Sequence, residues 1–207
     1  VYYDYVKEGI WQLGQEEEAE KYSSVVGGVK VRDINENGVI DPDDRQILGS
    51  DIPRLSGGLT NRFRYKGVDL SIFVFARLGG MIQSTEYGAF RFLSGRVNQY
   101  RVDYWTPNNP TNAFPQPNSN LETPYFGSTL RYFSGSFVKI RNVNLGYNFA
   151  DKIANRLGAQ SLRVYLSAQN PLVFSKYVSQ YNGLDPENPT NSTPPSRVFL
   201  AGVNVRF

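Results

Sequence analysis

The sequence contains neither cysteine nor histidine among its 207 residues. Without cysteine it has no disulfides, thiolate metal sites or cysteine nucleophiles. Without histidine it also lacks Ser-His-Asp triads, HExxH zinc sites and imidazole general bases. Most hydrolase and metalloenzyme functions are therefore excluded, and we expect a protein that is not an enzyme.

Long apolar runs are also missing, because no stretch approaches about 18 consecutive apolar residues, as a transmembrane helix would require. The first residues do not form a signal peptide, so we expect an internal or C-terminal part of a longer protein. Aromatic residues are plentiful, with 13 Phe, 14 Tyr and 2 Trp, which argues against a disordered chain.

The net charge of +3 conceals an asymmetry along the chain. Residues 1–51 hold 12 acidic and 5 basic side chains, whereas residues 52–207 hold 7 acidic and 17 basic ones. The acidic first part would favour binding of a cation. The basic second part would favour binding of an anionic partner or the formation of an arginine-lined cavity.

Alternation of apolar and polar residues is the main structural signal, and each alternating run is about ten residues long. It predicts strands at residues 55–65, 68–78, 137–149, 161–170 and 196–207. This is the length that a tilted strand needs to cross a bilayer. Only Lys66 and Gly67 separate the first two strands, and this connection is short enough for a hairpin turn. Within the strand at 137–149 the apolar residues change from one face to the other, and a bulge near Arg141 and Asn142 would explain this change.

The connections between these strands alternate in length, with 2, 58, 11 and 25 residues. Another long irregular region, residues 14–54, precedes the first strand. Short turns on one side and long loops on the other are typical of outer-membrane barrels, whereas soluble sandwiches keep most loops short. We therefore predict an all-β fold, an antiparallel transmembrane β-barrel segment with long extracellular loops.

Polar residues that alternate with the apolar ones would face the lumen of such a barrel or, in a soluble sandwich, simply face water. They are Arg62, Arg64, Asp69, Arg77, Arg163, Gln169, Asn204 and Arg206.

Residues 33–44 match the calcium loop of EF-hands and dockerins. The predicted ligands are Asp33, Asn35, Asn37, the Val39 carbonyl, Asp41 and Asp44. Gly38 permits the sharp reversal of the loop, but Asp44 is shorter than the usual glutamate. A turn rich in Asx and Gly can also form without metal. We expect structural calcium that clamps a long loop, since no room for two flanking helices is apparent.

Two short helices are predicted in the connections, at residues 94–105 and 151–157. The loop aromatics Tyr100, Trp105, Tyr125 and Phe126 could stack on a sugar, but packing within the loops is the simpler expectation. No RNP, KH or helix-turn-helix pattern occurs, so we expect no nucleic-acid partner.

Several segments occur in an order that matches one known family. They are residues 8–12, 28–33, 47–49, 58–70, 136–143, 145–147, 162–165, 169–172 and 185–187, followed by the terminal Phe207. Together they resemble the C-terminal part of the SusC/RagA-like TonB-linked outer-membrane proteins.

This resemblance implies a barrel of about 22 strands with a plugged lumen. It implies import of glycans or peptides across the outer membrane of a Gram-negative, Bacteroidetes-like bacterium. The implied partners are outer-membrane lipid, a SusD-like surface lipoprotein, and TonB acting through an N-terminal part that this sequence lacks, along with the plug. Phe199, Val203, Val205 and Phe207 resemble the signal read by the barrel-assembly machinery.

On this interpretation residues 1–207 are the C-terminal part of one barrel domain. Its parts are an extracellular loop with the calcium-like site at 14–54, a hairpin at 55–78, a long extracellular loop at 79–136 and the last three strands at 137–207.

Two alternatives remain open. One is a secreted, calcium-stabilised β-sandwich that binds polysaccharide, and the other is a dockerin-like module, which would need a second calcium loop.

Overall fold

A computed structural model of the protein describes residues 1–84, 102–118, 124–181, 185–189 and 195–207. The strands in these ranges are β1 (Tyr2–Tyr5), β2 (Lys7–Ile10), β3 (Val29–Val31), β4 (Arg45–Gly49), β5 (Leu55–Tyr65), β6 (Val68–Leu78), β7 (Met81–Gln83), β8 (Tyr132–Ser134), β9 (Phe137–Asn148), β10 (Ser161–Phe174) and β11 (Val198–Arg206). The α-helices are α1 (Glu16–Lys21), α2 (Asp151–Arg156) and α3 (Lys176–Tyr181), and 3-10 turns span Pro42–Asp44 and Gly127–Arg131.

The chain forms two compact units. The first comprises Val1–Ile52, Gly80–Ser134 and Asn188–Ser192, and the second comprises Pro53–Gly79, Gly135–Glu187 and Thr193–Phe207. No helix in the described ranges has both the length and the apolar character needed to cross a membrane.

The second unit is one antiparallel sheet of five strands in the order β11-β10-β9-β6-β5. Strands β5 and β6 coincide with the predicted ranges 55–65 and 68–78. Their turn places Lys66 at φ 44° and Gly67 at φ 86°, the left-handed conformations that a two-residue hairpin loop requires. The long and regular alternation of the sequence therefore predicted the main sheet correctly.

Irregular pairing occurs where the alternation changes phase. Phe73 pairs with Asn142 and Val74 with Ile140, so Arg141 is the extra residue of a bulge, as predicted. Strand β10 runs to Phe174, beyond its predicted end at residue 170. The prediction stopped at Asn170, which adopts φ 50°, but pairing with β9 resumes at Leu172.

One face of this sheet is apolar and exposed. Cross-strand neighbours share a face, and the register aligns Phe63, Leu70, Leu145 and Leu166 in one such row. Ten side chains of this face are 40–72% exposed: Leu59, Phe63, Tyr65, Val68, Leu145, Tyr147, Leu166, Phe199, Val203 and Val205. An antiparallel sheet in water normally buries its apolar face against a core. This sheet does not do so within the described chain.

The first unit contains three two-stranded ribbons, β1 with β4, β2 with β3, and β7 with β8. Its core includes Ile10, Trp11, Val29, Trp105 and Phe114, all buried. The interpretation of residues 14–54 as one irregular region was therefore only partly right, because this stretch contains α1, β3 and β4. The acidic run at residues 16–20 indicates a helical turn and residues 29–31 an extended segment, and both are confirmed. Strands of three to five residues are too short for alternation to reveal them.

The two predicted short helices have different outcomes. Helix α2 confirms the prediction at 151–157. Of the predicted helix at 94–105, residues 94–101 lie outside the described residues. Residues 102–105 are not helical, because Tyr104 bridges to Phe114 and the backbone N–H of Trp105 donates to the Phe114 carbonyl.

The hairpin turn supplies a test of the sheet. A Cβ atom at Gly67 would lie 2.7 Å from the Asn148 carbonyl oxygen, and its φ is positive. We expect Gly67→Ala to lower the free energy of unfolding of the full-length protein by at least about 1–2 kcal/mol. Denaturant unfolding of the full-length protein in lipid vesicles would measure this loss of unfolding free energy.

Gly57→Ala is the matched control, because nothing lies within 4 Å of a Cβ there and no positive φ is required. Equal destabilisation by the two substitutions would contradict the turn described above.

Candidate functional site: a polar sheet face and a calcium-like loop

The second face of the five-stranded sheet carries the predicted lumen residues. Arg64 pairs with Asp69, Arg163 pairs with both Asn148 and Asn204, and Gln169 pairs with Asn142. Since paired residues share a face, the register brings all eight residues of the prediction to this side: Arg62, Arg64, Asp69, Arg77, Arg163, Gln169, Asn204 and Arg206. Their role as a lumen lining stays a prediction.

An ion pair on this face spans the middle strand β9. The Arg163 guanidinium donates to the Asp69 carboxylate at 2.7 Å, and the Asn148 side-chain amide donates to it at 3.0 Å. Gly146 of β9 lies beneath the pair, and a Cβ there would be 2.7 Å from Asp69 Oδ1. Because Gly146 has no side chain, it leaves room for the ion pair that connects β6 and β10.

A second charged cluster on this face was missed by the sequence analysis. Lys139 of β9 donates to Asp185 at 2.8 Å and to Glu187 at 2.5 Å, and Arg141 also binds Glu187. The Lys139 and Asp185 side chains are each only 5% exposed. A sign was available, because acidic residues are scarce after residue 51, yet two of them occur together at 185 and 187.

This cluster fastens the segment around Pro186 to the sheet wall. Lys139 pairs with Phe75, which places it on the same face as Arg77 and Asp69. The buried Asp185 carboxylate and the half-buried Glu187 carboxylate offset the cost of removing the ammonium group from water. The polar face therefore contains ordered ion pairs.

The calcium-like loop folds back on itself through its own backbone. The Asp33 carboxylate accepts hydrogen bonds from the backbone N–H of Asn37 at 3.3 Å and of Gly38 at 2.8 Å. The Asn37 side-chain oxygen accepts from the Val39 N–H at 2.8 Å. Gly38 adopts φ 82° at the reversal, as the motif requires.

Asp44 closes the loop and is 0% exposed. Its carboxylate accepts from the backbone N–H of Ile34 at 2.7 Å and of Asp41 at 2.9 Å. Burial raises the pKa of Asp44, but hydrogen bonds from the backbone N–H groups of Asp41, Ile34 and Asn35 and from the Asp33 side chain together lower it more, so the net pKa lies below the ordinary value. Asp44 is therefore buried at the base of the loop in a setting that favours its charged form.

The loop follows β3 and ends in the 3-10 turn Pro42–Asp44, so it is not flanked by two helices, as expected. Hydrogen bonds connect the predicted side-chain ligands Asp33, Asn35, Asn37, Asp41 and Asp44 within one reversal. Across the described ranges, however, no three acidic, histidine or cysteine side chains converge in a metal-binding group. Any cation here would depend on amide and carbonyl oxygens as well as carboxylates.

The loop aromatics have different environments in the first unit. Trp105 is buried, and its indole N–H donates to Gln12 at 2.8 Å, so it packs within the unit as expected. The Phe126 ring lies edge-on to Tyr5 at 5.0 Å between centroids. Tyr125 is 74% exposed, and Tyr100 lies outside the described residues.

The residues predicted as an assembly signal lie at the end of the chain. Phe199, Val203 and Val205 line the apolar face of β11, which forms one edge of the five-stranded sheet, and Phe207 follows it. Their role in barrel assembly stays a prediction.

No protein-family model matches the chain, but several curated proteins do. TonB-dependent receptor P3 of Formosa agariphila is 32% identical over all of this chain and 22% of its own length. TonB-dependent receptor P26 of the same organism is 28% identical over 96% of this chain and 22% of its own length. TonB-dependent receptor SusC of Bacteroides thetaiotaomicron is 31% identical over 84% of this chain and 17% of its own length.

Solved structures show the same fold. The RagAB peptide transporter matches 99% of this chain and 22% of its own chain, with a TM-score of 0.69 and 21% identity. The RagAB peptide importer in its closed-closed state matches 99% of this chain and 22% of its own, with a TM-score of 0.61 and 20% identity. These matches confirm the predicted fold class, an all-β segment like that of a TonB-dependent transporter barrel.

The relatives and the solved structures both match the chain to one part of TonB-dependent transporters. More particularly, the chain is a homologue of the SusC/RagA-like TonB-linked outer-membrane proteins, which confirms the resemblance seen in its sequence. It spans about a fifth of the length of the relatives that it matches.

The buried cluster on the polar face predicts an unequal effect of two ion-pair substitutions. Lys139→Met would leave the buried Asp185 carboxylate without its cation, while Arg141 would still bind Glu187. Breaking a buried pair costs about 3–5 kcal/mol. Arg32→Met removes an exposed pair with Glu8, which is worth about 0–1 kcal/mol. Urea unfolding of the full-length protein would compare them, and a Lys139→Met loss no larger than the Arg32→Met loss would contradict the cluster.

Proposed function

We propose that the full-length protein imports nutrients across the outer membrane as a TonB-dependent, SusC-like transporter. The observation that carries this proposal is homology to TonB-dependent receptors along the whole chain. The relatives are receptors and not enzymes, and composition already excluded the commonest catalytic groups. We therefore propose no catalytic residue.

The two faces of the sheet support a position in the membrane. Exposed apolar side chains are favourable against hydrocarbon, while polar side chains on the opposite face suit a wet lumen. The open edges of β5 and β11 need hydrogen-bonding partners in lipid, which further strands of a longer chain would supply. Phe199, Val203, Val205 and Phe207 would then serve as the assembly signal.

The proposed partners follow the family. A SusD-like surface lipoprotein would close the extracellular mouth, and TonB would act through parts of the protein outside this chain. The proposed location is the outer membrane of a Bacteroidetes-like bacterium, and the substrate is a glycan or a peptide. A soluble β-sandwich agrees less well with an exposed apolar face, and a dockerin-like module agrees less well with a single loop between β3 and a 3-10 turn.

Deletion of the whole gene tests the import function. The mutant should lose growth on one oligomeric nutrient but keep growth on its monomers, and the full-length protein should fractionate with the outer membrane. Complementation with the intact gene is the control. Unchanged growth on every oligomer, with the protein recovered in the soluble fraction, would contradict the proposal.

We also propose that the loop of residues 33–44 binds structural calcium. Support comes from the oxygen-rich spacing and from the buried Asp44 carboxylate at the base of the loop. The ligands would be Asp33, Asn35, Asn37, the Val39 carbonyl, Asp41 and Asp44.

Calcium should raise the Tm of the purified full-length receptor relative to EGTA. Saturation at a hundredfold excess over Kd corresponds to about 2.7 kcal/mol of stabilisation. Asp33→Asn should remove most of this gain, whereas Asp43→Asn, which changes a side chain outside the predicted ligand set, should keep it. The same Tm in calcium and in EGTA would rule out the site.

A further inference from the structure

A groove of about 610 Å³ lies on the apolar face of the five-stranded sheet. Residues of β6, β9, β10 and β11 line the groove, and its described lining consists of Val, Leu, Ala, Gly and Tyr residues. The register places Val164 between Tyr147 and Val203, and Ala201 in the next row supplies only a methyl group. The volume of the groove falls within the roughly 300–1,000 Å³ that small-ligand sites occupy.

The groove lies at the end of the sheet that carries the Lys66–Gly67 turn. Val68 belongs to its lining and directly follows this turn. The connection between β9 and β10 lies at the same end, because Asn148 donates its backbone N–H to the Gly67 carbonyl at 2.8 Å. In the proposed topology this end is periplasmic, since the long connections lie at the other end.

Basic side chains outnumber acidic ones around this end of the groove. The stretches 65–69 and 148–163 are fully described and hold six charged residues: Lys66, Asp69, Asp151, Lys152, Arg156 and Arg163. Asp69 and Arg163 pair with each other, which leaves three exposed basic side chains against one acidic side chain. Lys66 lies on the apolar side of the sheet, because its ammonium group is 5.2 Å from the ring centroid of the exposed Tyr65.

Helix α2 presents basic and aliphatic side chains together. Lys152 and Arg156 are both exposed and lie four residues apart, so they share one side of the helix. Ile153 and Leu157 are also four residues apart, and they are 45% and 64% exposed. Exposed bases beside exposed aliphatic groups suit the boundary between lipid headgroups and hydrocarbon.

We infer that the groove and the bases around it bind an anionic phospholipid. An acyl chain lies along Val164, and the phosphate of the headgroup meets Lys66 and the basic side chains of α2. The excess of basic side chains favours an anionic headgroup, since a zwitterionic headgroup would bring its own ammonium group among them. The inference rests on the proposed position in the membrane. It goes beyond that position, because general contact with lipid requires neither a groove nor a preference for charge.

Lipid binding to the purified full-length protein tests the inference. The probes are dioleoylphosphatidylglycerol and dioleoylphosphatidylethanolamine, which have the same acyl chains and differ in headgroup charge. Native mass spectrometry of the protein in detergent would measure the Kd of the first bound lipid. We expect the Kd of phosphatidylglycerol to be at least about fivefold lower than that of phosphatidylethanolamine, because one basic side chain accounts for about that factor.

The Lys66→Gln variant tests the contribution of the basic side chains. It should raise the Kd of phosphatidylglycerol about fivefold and leave that of phosphatidylethanolamine unchanged. Lys176→Gln is the matched control, since Lys176 is an exposed lysine of the same unit that begins α3 at the opposite end of the sheet. Both variants should keep the wild-type Tm, because each changes an exposed side chain.

The Ala201→Phe variant tests the groove itself. Its ring would occupy the space beside Val164, so the Kd of both lipids should rise at least about threefold. Val205→Phe is the control, because Val205 lies on the same face of β11 but outside the described lining.

Three results would each overturn the inference: equal Kd values for the two lipids, an unchanged Kd in Lys66→Gln, or equal effects of Ala201→Phe and Val205→Phe. A dimer that persists without lipid and dissociates on Ala201→Phe would also overturn it, since a second copy would then cover the groove. If the lipid preference fails while the protein still fractionates with the outer membrane and supports growth on the oligomer, the proposed function stands and only the lipid site is lost.

Discussion

The structure depends on one constraint, the pairing of five strands whose side chains alternate between two unlike environments. Backbone N–H and C=O groups within the sheet satisfy one another, and this pairing fixes which side chains share a face. One face carries Leu, Val, Phe and Tyr side chains that remain exposed. The other carries an ion pair that joins β6 and β10 across β9. Such a division is stable only if the two faces meet different surroundings.

Charge on the polar face has a structural role as well as a proposed transport role. Asp69 and Arg163 bridge two strands across Gly146, and Lys139 holds Asp185 against β9. These contacts pair several charged side chains of the polar face with one another.

The sequence allowed the main sheet to be predicted because its strands are long. Every second residue of β6 is aliphatic from Val68 to Leu78, and apolar residues alternate with polar ones in the second half of β5. The phase change near Arg141 reveals the bulge. The short strands β1, β2 and β4 were not recognised, since four or five residues carry too little periodicity. The Lys139 cluster was also missed, because its partners lie more than 40 residues away and only the folded chain brings them together. Local motifs were different: the calcium-like loop was visible because its residues are contiguous.

Arginine placed at adjacent positions of β11 tests the central claim most directly. Val203 and Asn204 are both exposed, but they lie on opposite faces of the sheet. In the full-length protein folded into lipid vesicles, Val203→Arg should lower the free energy of unfolding by about 2–4 kcal/mol if the residue lies near the bilayer midplane. Asn204→Arg should change the free energy of unfolding little, because Asn204 lies on the polar face. Equal tolerance of arginine at both positions would mean that the apolar face meets water, and the account would be wrong.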